Sequence, residues 1–307
     1  MPPHVFAISP DALRYVRFER SDAVLELVEA REEPLPPDAF HAGPLGGPAR
    51  DPEQLGAGVD RLLGAGADLE EASLVLPDQW LRLAFGELTE LPKSRQARLE
   101  AFRFKLRQLV PFRVDELRVE GFEVMPLADQ EEPRRVVIAF CVEALVRQLE
   151  RLFAERGITL GLITAESLAL SSLLEAGRGE QGGLAVQVLQ KDDAYTLLVS
   201  SPSGPVLFRH KPSEAGLDPA LRRTGLVREL RMTKSFLEDK LPALGIDGAW
   251  IAATEPAEWL AWLREGLGVE AEPLSLAALG DLTARLPAGW SWSDGGPLLA
   301  VALEEVA

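Results

Sequence analysis

The sequence has almost no cysteine and very little histidine, and both shortages exclude particular kinds of chemistry. Its 307 residues include a single cysteine, Cys141, so no disulfide can form within the chain. Cys141 stands between a phenylalanine and a valine, a context that predicts a buried thiol rather than a nucleophile. The three histidines, His4, His41 and His210, are far apart and lack the spacing of metal ligands. We therefore expect no metal site.

Long apolar runs and an excess of positive charge are also missing. No apolar stretch is long enough to cross a bilayer, and residues 1–11 lack the basic region and apolar stretch of a signal peptide. The chain has 32 basic and 48 acidic residues, a formal net charge of −16, which argues against a nucleic-acid surface. These properties predict a cytoplasmic protein of one to three packed subdomains, without a nucleic-acid partner.

Common catalytic motifs are absent as well. The sequence contains no GxxxxGK[ST], no GxGxxG and no CxxC. Acidic pairs occur at 131–132 and 192–193, within predicted turns, where a solvated surface is the expected role. Trp259 and Trp262 lie near several leucines at helical spacing, which predicts core packing rather than a ligand site.

The most informative stretch is 94–112, SRQARLEAFRFKLRQLVPF, which predicts a helix with defined ends. Ser94 can cap its first turn, and Pro111 ends it because proline lacks an N–H and disfavours helical geometry in the preceding residue. The apolar positions of one face recur at helical spacing and are Leu99, Phe102, Leu106 and Leu109.

The other side of this helix is unusual. Phe104 lies about 200° around the helix from Phe102 and cannot share its apolar face. Two roles are open for Phe104: an exposed anchor for a partner, or core packing under the hairpin of residues 116–141. The remaining outward positions are basic in an otherwise acidic chain: Arg95, Arg98, Arg103, Lys105 and Arg107.

The order of predicted elements indicates a duplicated α/β architecture. A three-stranded meander is expected at each of two places, 4–30 and 184–210, because short alternating segments there are separated by turn formers. Further helices and strands follow each meander, which favours two related halves around a cleft. The other predicted strands are 72–76, 79–85, 116–125, 135–141, 158–164 and 249–252, with a short one near 269. The other predicted helices are 52–63, 142–156, 166–174, 219–240, 256–267 and one from about 297.

This order resembles the actin-like ATPase superfamily and, within it, the PilM family of type IV pilus assembly proteins. Residues 101–112, AFRFKLRQLVPF, are similar to the family's AIRWEAEQYIPF. Residues 157–170, GITLGLITAESLAL, resemble GLKPVAVDVEPLAL, and 226–239, LVRELRMTKSFLED, resemble LAREIRRSLDFY. The last six residues, 302–307, resemble the family's closing helix.

The resemblance implies two ribonuclease-H-like halves around a cleft, with an inserted subdomain of the type called 1C in PilM and in the cell-division protein FtsA. Half I would comprise 1–93 and 165–180. The inserted subdomain would be 94–164, half II 181–296, and the closing helix 297–307.

Set against the family pattern, all three nucleotide-binding segments are degenerate. Actin-like ATPases hold nucleotide with two glycine-turn hairpins and a glycine-rich adenine loop, because glycine lets backbone N–H groups approach phosphate. The residues that stand at the motif positions here are Ala7 and Ser9 in the first hairpin, Gln187 and Leu189 in the second, and Ala252 and Ala253 in the adenine loop. The resemblance thus implies a pseudo-ATPase that binds neither ATP nor another cofactor.

The degenerate cleft is further expected to be filled by side chains. Arg14 stands where the family places a lysine, and both Arg14 and Leu189 would occupy the phosphate position. A bound anion near Arg14 is compatible with this expectation, because a guanidinium is a good partner for phosphate.

The function implied by the resemblance is a non-catalytic scaffold at the cytoplasmic face of the inner membrane. It would dock the N-terminal cytoplasmic segment of a PilN-like inner-membrane protein in a type IV pilus machine, and reach the membrane only through such partners. The expected partner-binding residues are Phe104, Arg103, Lys105, Arg107 and Gln108.

Three alternatives remain open. The first is a cytoplasmic GspL-like component of type II secretion, which is expected to continue into a transmembrane helix that this sequence lacks. The second is an active ATP-binding protein with a divergent site. The third is an unrelated α/β enzyme.

Overall fold

Two five-stranded sheets of the same topology form the framework of the molecule. The computed structural model describes residues 4–21, 24–64, 69–124, 134–178, 182–191, 194–213, 218–274 and 290–304. The strands are β1 His4–Ile8, β2 Ala12–Ser21, β3 Val24–Pro34, β4 Glu71–Leu76, β5 Arg82–Leu88, β6 Leu117–Val124, β7 Arg134–Val142, β8 Thr159–Ala165, β9 Leu184–Gln190, β10 Ala194–Ser201, β11 Gly204–Pro212, β12 Ile246–Ala252 and β13 Ala271–Pro273. The helices are α1 Pro52–Leu63, α2 Arg95–Leu109, α3 Glu143–Ala154, α4 Glu166–Arg178, α5 Pro219–Lys240, α6 Pro256–Leu267 and α7 Trp292–Glu304.

The strand orders show the duplication directly. The first sheet has the order β3-β2-β1-β4-β8 and the second β11-β10-β9-β12-β13. In each sheet the three meander strands pair antiparallel, and the first meander strand also pairs parallel with the next strand outward. The final strand then adds parallel to the edge. The predicted α/β fold with two duplicated halves is confirmed.

A third, three-stranded antiparallel sheet interrupts the first half between β4 and β8, with the order β5-β7-β6. Helix α2 covers one face of this sheet and buries Phe102 and Leu106 there. The opposite face packs on the second half, where Leu83 and Val137 meet Leu198.

The limits of this insertion differ from the expected boundaries at 94 and 164. Strand β5 was expected in half I but pairs with β7, and β8 was expected in the insertion but pairs with β4. The sequence could not show either pairing, because the partner strands are far away along the chain. The three-stranded sheet and α2 thus span Arg82–Val142, while α3 and β8 belong with the first half.

Local capping signals were reliable guides to the helix ends. Asp51 accepts a hydrogen bond from the N–H of Gln54 at 2.9 Å at the start of α1, and Ser94 accepts from Ala97 at 3.2 Å at the start of α2. Gly157 adopts a φ of 76°, the left-handed conformation that follows a helix end, as predicted after α3.

Two helix limits were predicted wrongly. Helix α4 continues to Arg178, four residues beyond its predicted end at residue 174. Helix α7 begins at Trp292, five residues before Pro297, and its first hydrogen bonds run from the N–H groups of Asp294 and Gly295 to the backbone carbonyl of Ser291. Pro297 therefore lies inside α7, where it removes one intrahelical hydrogen bond. Residues 305–307 of the expected closing helix, the turns at 131–132 and 192–193, and residues 179–181 at the expected boundary lie outside the described residues.

Other core predictions are confirmed. Trp259 and Trp262 are buried in the core of the second half. Cys141 is buried, and burial raises the pKa of its thiol to about 12, so it is not a nucleophile at neutral pH. Within the described ranges, no helix is long and apolar enough to cross a membrane.

Candidate functional site

A cavity of about 390 Å³ lies between the two halves, where the β1–β2 and β9–β10 hairpins approach each other. Arg14 and Leu189 line it, as expected from the resemblance, but they do not fill it. The prediction of a filled cleft was therefore wrong. The lining from the first half is Ser9, Pro10, Asp11, Arg14, Pro77, Asp78, Gln79 and Glu166, and that from the remainder of the chain is Leu189, Lys191, Ala194, Tyr195, Thr196, His210, Thr254, Ser293 and Asp294.

The first hairpin uses most of its own backbone donors. The N–H of Ser9 donates to the carbonyl of Ala12 at 2.9 Å, and the N–H of Ala12 donates to the Ser9 hydroxyl oxygen at 3.2 Å. Pro10 has no N–H, and the Ser9 hydroxyl donates to Asp11 at 2.6 Å. The turn is held by internal hydrogen bonds and offers little to a phosphate.

The cations of the cleft are paired with carboxylates of the chain. Lys191 Nζ lies 3.0 Å from Glu166 and 3.4 Å from Asp294. Arg14 lies 2.6 Å from Glu32 and 3.6 Å from Asp294. Burial lowers the pKa of Lys191, but the two facing carboxylates outweigh burial and raise it, so this lysine stays charged.

The ion pairs of Lys191 connect the second hairpin to α4 and α7. Its Nζ also donates to the backbone carbonyl of Ser293. That carbonyl lies four residues before Pro297, which has no N–H to donate to it. The proline in α7 therefore leaves an acceptor to which Lys191 donates.

Two buried acids stand at the ends of adjacent parallel strands. Asp78 follows β4, and its Oδ1 accepts hydrogen bonds from the N–H and the hydroxyl of Ser167, at 3.0 and 2.8 Å. Its Oδ2 has no hydrogen-bond partner among the described residues, and burial raises the pKa of Asp78. Glu166 follows β8, and burial raises its pKa to about 7, with a further rise from the Asp78 charge and opposition from Lys191.

Sequence reasoning missed both acids, although a signal for them was present. The carboxyl ends of neighbouring parallel strands meet at one edge of a sheet, and polar residues there often line a crevice. Asp78 and Glu166 come just after β4 and β8, which are neighbours in the first sheet. Recognising that pairing would have placed the two carboxylates together.

The other substituted motif positions are mostly structural. Ala7, Ala252 and Ala253 are buried and pack in the hydrophobic cores. Gln187 is also buried, and its side-chain amide donates to the backbone carbonyl of Ser167 at 2.9 Å. Gln187 therefore joins β9 to α4 instead of facing the cavity.

His210 lies in the cavity wall as a neutral ring. Its Nδ1 is 3.0 Å from the Thr196 hydroxyl, and burial, helped by Arg82, lowers its pKa to about 4. The described residues contain no group of three or more histidine, cysteine or acidic side chains that could hold a metal ion.

The fold family implies a magnesium–nucleotide complex in this cleft, and these residues do not fit it. The described lining contains no glycine, the residue that would let backbone N–H groups come close to a phosphate. The carboxylates Asp11, Glu166 and Asp294 face the cavity and repel phosphate, while Arg14 and Lys191 are already paired.

The α2 surface differs in character. Phe104 is 62% exposed, whereas Phe102 on the opposite face is 4% exposed. Phe104 therefore does not pack under the hairpin formed by β6 and β7. Leu109 is 44% exposed, which corrects its expected place in the apolar face.

The polar residues expected on this surface have varied surroundings. Arg107 donates to Asp115 at 2.8 Å, and Gln108 is exposed. Arg103 and Lys105 are partly buried, and Nε of Arg103 is buried without a hydrogen-bond partner among the described residues. Neither has a carboxylate partner within the described part of the chain.

Sequence comparisons gave no match, and structural comparisons gave several. No protein-family model matches the chain, and no curated protein matches it. A chain of the PilM–PilN type IV pilus biogenesis complex superposes with a TM-score of 0.75 at 17% identity, over 98% of this chain and 96% of that one. A Bacteroides thetaiotaomicron protein with an actin-like ATPase fold gives a TM-score of 0.56 at 9% identity, over 98% and 95% of the two chains.

The cytoplasmic domain of EpsL, an inner-membrane component of the Vibrio cholerae type II secretion system, gives a TM-score of 0.49 at 10% identity, over 100% and 94% of the two chains. This superposition is too weak to support a conclusion about this chain. The two stronger ones cover nearly the whole chain and agree with the duplicated sheets. The chain therefore has the actin-like ATPase fold, as the resemblance implied.

Proposed function

We propose that this protein is a non-catalytic actin-like scaffold, which docks a cytoplasmic segment of a PilN-type inner-membrane protein at the inner face of the membrane. The likeness to a chain of the PilM–PilN complex supports the choice of partner. The observation that carries the proposal is Phe104, an exposed aromatic on α2.

The surroundings of Phe104 favour binding over solvation. A phenylalanine that is 62% exposed leaves apolar area in water that a partner could cover. Aromatic residues often dominate the binding energy of an interface once they are desolvated. The neighbouring cations Arg103 and Lys105 would attract carboxylates on the docked segment.

The cleft supports the non-catalytic part of the proposal. The first hairpin uses its own N–H groups, and Lys191 holds the Glu166 and Asp294 carboxylates. When the charges of a site are already paired with each other, the binding of a nucleoside triphosphate gains little free energy.

The test is a binding titration between the purified full chain and a peptide of the N-terminal cytoplasmic segment of a PilN-type protein. Phe104→Ala should weaken binding by about tenfold or more, which corresponds to about 1.4 kcal/mol. Leu221→Ala is the matched control, because Leu221 is 61% exposed but lies on α5. Unchanged binding by Phe104→Ala, or an equal loss in the control, would contradict the proposal.

A second candidate is a nucleotide-binding protein with a divergent site, and the open cavity of about 390 Å³ favours it. Mg-ATP calorimetry separates the two candidates, because the scaffold needs no nucleotide. A scaffold that also binds nucleotide would bind both the PilN-type peptide and Mg-ATP.

A further inference from the structure

A groove of about 330 Å³ lies beside β5, between the three-stranded sheet and the second half, and is separate from the cleft. Leu109 on α2 forms one wall, and Phe236 on α5 forms part of the other. Both side chains are large, apolar and exposed, at 44% and 39%. Phe104 does not line this groove, so the groove differs from the surface proposed above.

The groove lies beside the edge strand β5 and extends over its neighbours, because Val136 and Val137 of β7 and Val124 of β6 also line it. Strand β5 is the outer strand of the three-stranded sheet and, among the described strands, pairs only with β7. It lies against β11, which is itself the outer strand of the second sheet. Over the described residues, no backbone hydrogen bond joins these two strands. Such an edge presents backbone donors and acceptors to an added strand.

Gly86 shapes the groove where it passes α2. A Cβ atom at this position would lie 3.0 Å from Cε and 3.1 Å from Cγ of Lys105. The missing side chain lets Lys105 of α2 lie directly against the backbone of β5.

The charge around the groove is positive, in contrast to the chain as a whole. Lys105, Arg135 and Lys240 line it, against one carboxylate, Glu87. The net charge of the whole chain is −16. A partner that complements this groove therefore carries carboxylates as well as apolar side chains.

We propose that this groove is a second docking surface, which receives an extended acidic segment of a partner protein as an added strand on β5. Its backbone pairs with the free edge, its apolar side chains contact Leu109 and Phe236, and its carboxylates face the three cations. Strand addition of this kind takes affinity from main-chain hydrogen bonds and specificity from side-chain pockets. Lys105 belongs to both surfaces, whereas Phe104 does not line the groove.

The probe is a labelled seven-residue peptide in which valine and glutamate alternate, titrated against the full chain by fluorescence anisotropy. Its affinity should exceed that of the matching valine–lysine peptide by about tenfold or more. N-methylation of alternate backbone nitrogens should weaken the acidic peptide to a similar degree, because it removes main-chain donors.

Matched variants locate the site. Phe236→Glu should weaken binding about tenfold, whereas Met232→Glu, 56% exposed on the same helix and outside the groove, should change it little. Lys105→Glu should weaken binding more than Arg98→Glu, which alters an exposed cation elsewhere on α2. Phe104→Ala should have no effect on this peptide, and that separates this result from the test of the proposed function.

Several outcomes would overturn the proposal. They are equal affinity for the acidic and lysine peptides, equal effects of Phe236→Glu and Met232→Glu, and no binding at about 1 mM peptide. Sedimentation of the chain alone tests another occupant. A dimer that Phe236→Glu dissociates would show that the groove pairs two copies of this chain and would equally overturn the proposal.

Discussion

The cleft and the α2 surface treat charge in opposite ways. In the cleft, Lys191 and Arg14 each lie within 4 Å of two carboxylates of the chain. On α2, Arg103 and Lys105 have no such partner among the described residues, and Phe104 is exposed beside them. The charged groups of the cleft pair with each other, whereas the cations and the exposed ring on α2 remain available to a partner protein.

The difference also shows how a cavity can persist without an obvious ligand site. The carbonyl that Pro297 leaves without a helical partner accepts from Lys191, which also pairs with Glu166 and Asp294. These contacts connect the β9–β10 hairpin to α4 and α7. Side chains of the chain itself thus hold the two sides of the cleft together.

The largest expected effect separates the two faces of α2. Leu106 is fully buried, so Leu106→Ala should lower the free energy of unfolding by about 2–5 kcal/mol. Phe104→Ala should change it by less than about 0.5 kcal/mol, because the ring is largely solvated. Urea denaturation of both variants measures the contrast. Equal destabilisation would mean that Phe104 is part of the core and that α2 has no free aromatic.

The next prediction concerns the self-paired cleft. The pKa of Glu166 rises from its ordinary 4.5 to about 7 in the folded state, which corresponds to about 3 kcal/mol. Because the folded state holds this proton more tightly, its contribution to stability is complete below about pH 4.5 and is lost as the pH rises through about 7.

Glu166→Gln, which mimics the protonated form, should remove this loss. The variant should gain stability relative to the parent as the pH rises from about 5 to 8, measured by urea denaturation at each pH. Glu238→Gln, an exposed glutamate on α5, should show no such trend. A constant difference between Glu166→Gln and the parent at all pH values would show that Glu166 is ionised in the fold.

A smaller effect tests the packing that presents the α2 surface. A Cβ atom at Gly121 would lie 2.8 Å from Cδ2 of Phe102, whose ring is buried, so Gly121→Ala should destabilise the fold by about 1–3 kcal/mol. A Cβ atom at Gly225 on α5 would have no neighbour within 4 Å, so Gly225→Ala should stabilise the fold by up to about 1 kcal/mol. Thermal unfolding of both variants measures the contrast. A neutral Gly121→Ala would mean that α2 is loosely attached to its sheet.

Local signals in the sequence predicted most of the elements and the duplicated order. Short segments of alternating apolar and polar residues predicted the two meanders, and capping residues such as Asp51 and Ser94 predicted the helix starts. Pairing between distant strands could not be read locally, so β5 and β8 were assigned to the wrong parts of the fold. Pro297 suggested that α7 begins at that residue, but the helix begins at Trp292, with its first hydrogen bonds accepted by the backbone carbonyl of Ser291.

The candidate site was predicted less completely than the fold. Of the six substituted motif positions, Ser9 and Leu189 line the cavity, whereas Ala7, Gln187, Ala252 and Ala253 do not. The acids Asp78 and Glu166 were not identified, because their proximity depends on the parallel pairing of β4 with β8. The groove along β5 was also invisible, because it forms between elements that are distant in sequence.

The central claim is that the cleft satisfies its own charges and does not serve a nucleotide. Isothermal titration calorimetry of the full chain with Mg-ATP tests this claim most directly. We expect no binding heat at ATP concentrations up to about 1 mM, because the first hairpin uses most of its own backbone donors and Lys191 and Arg14 are already paired. Saturable binding with a micromolar dissociation constant would contradict the account.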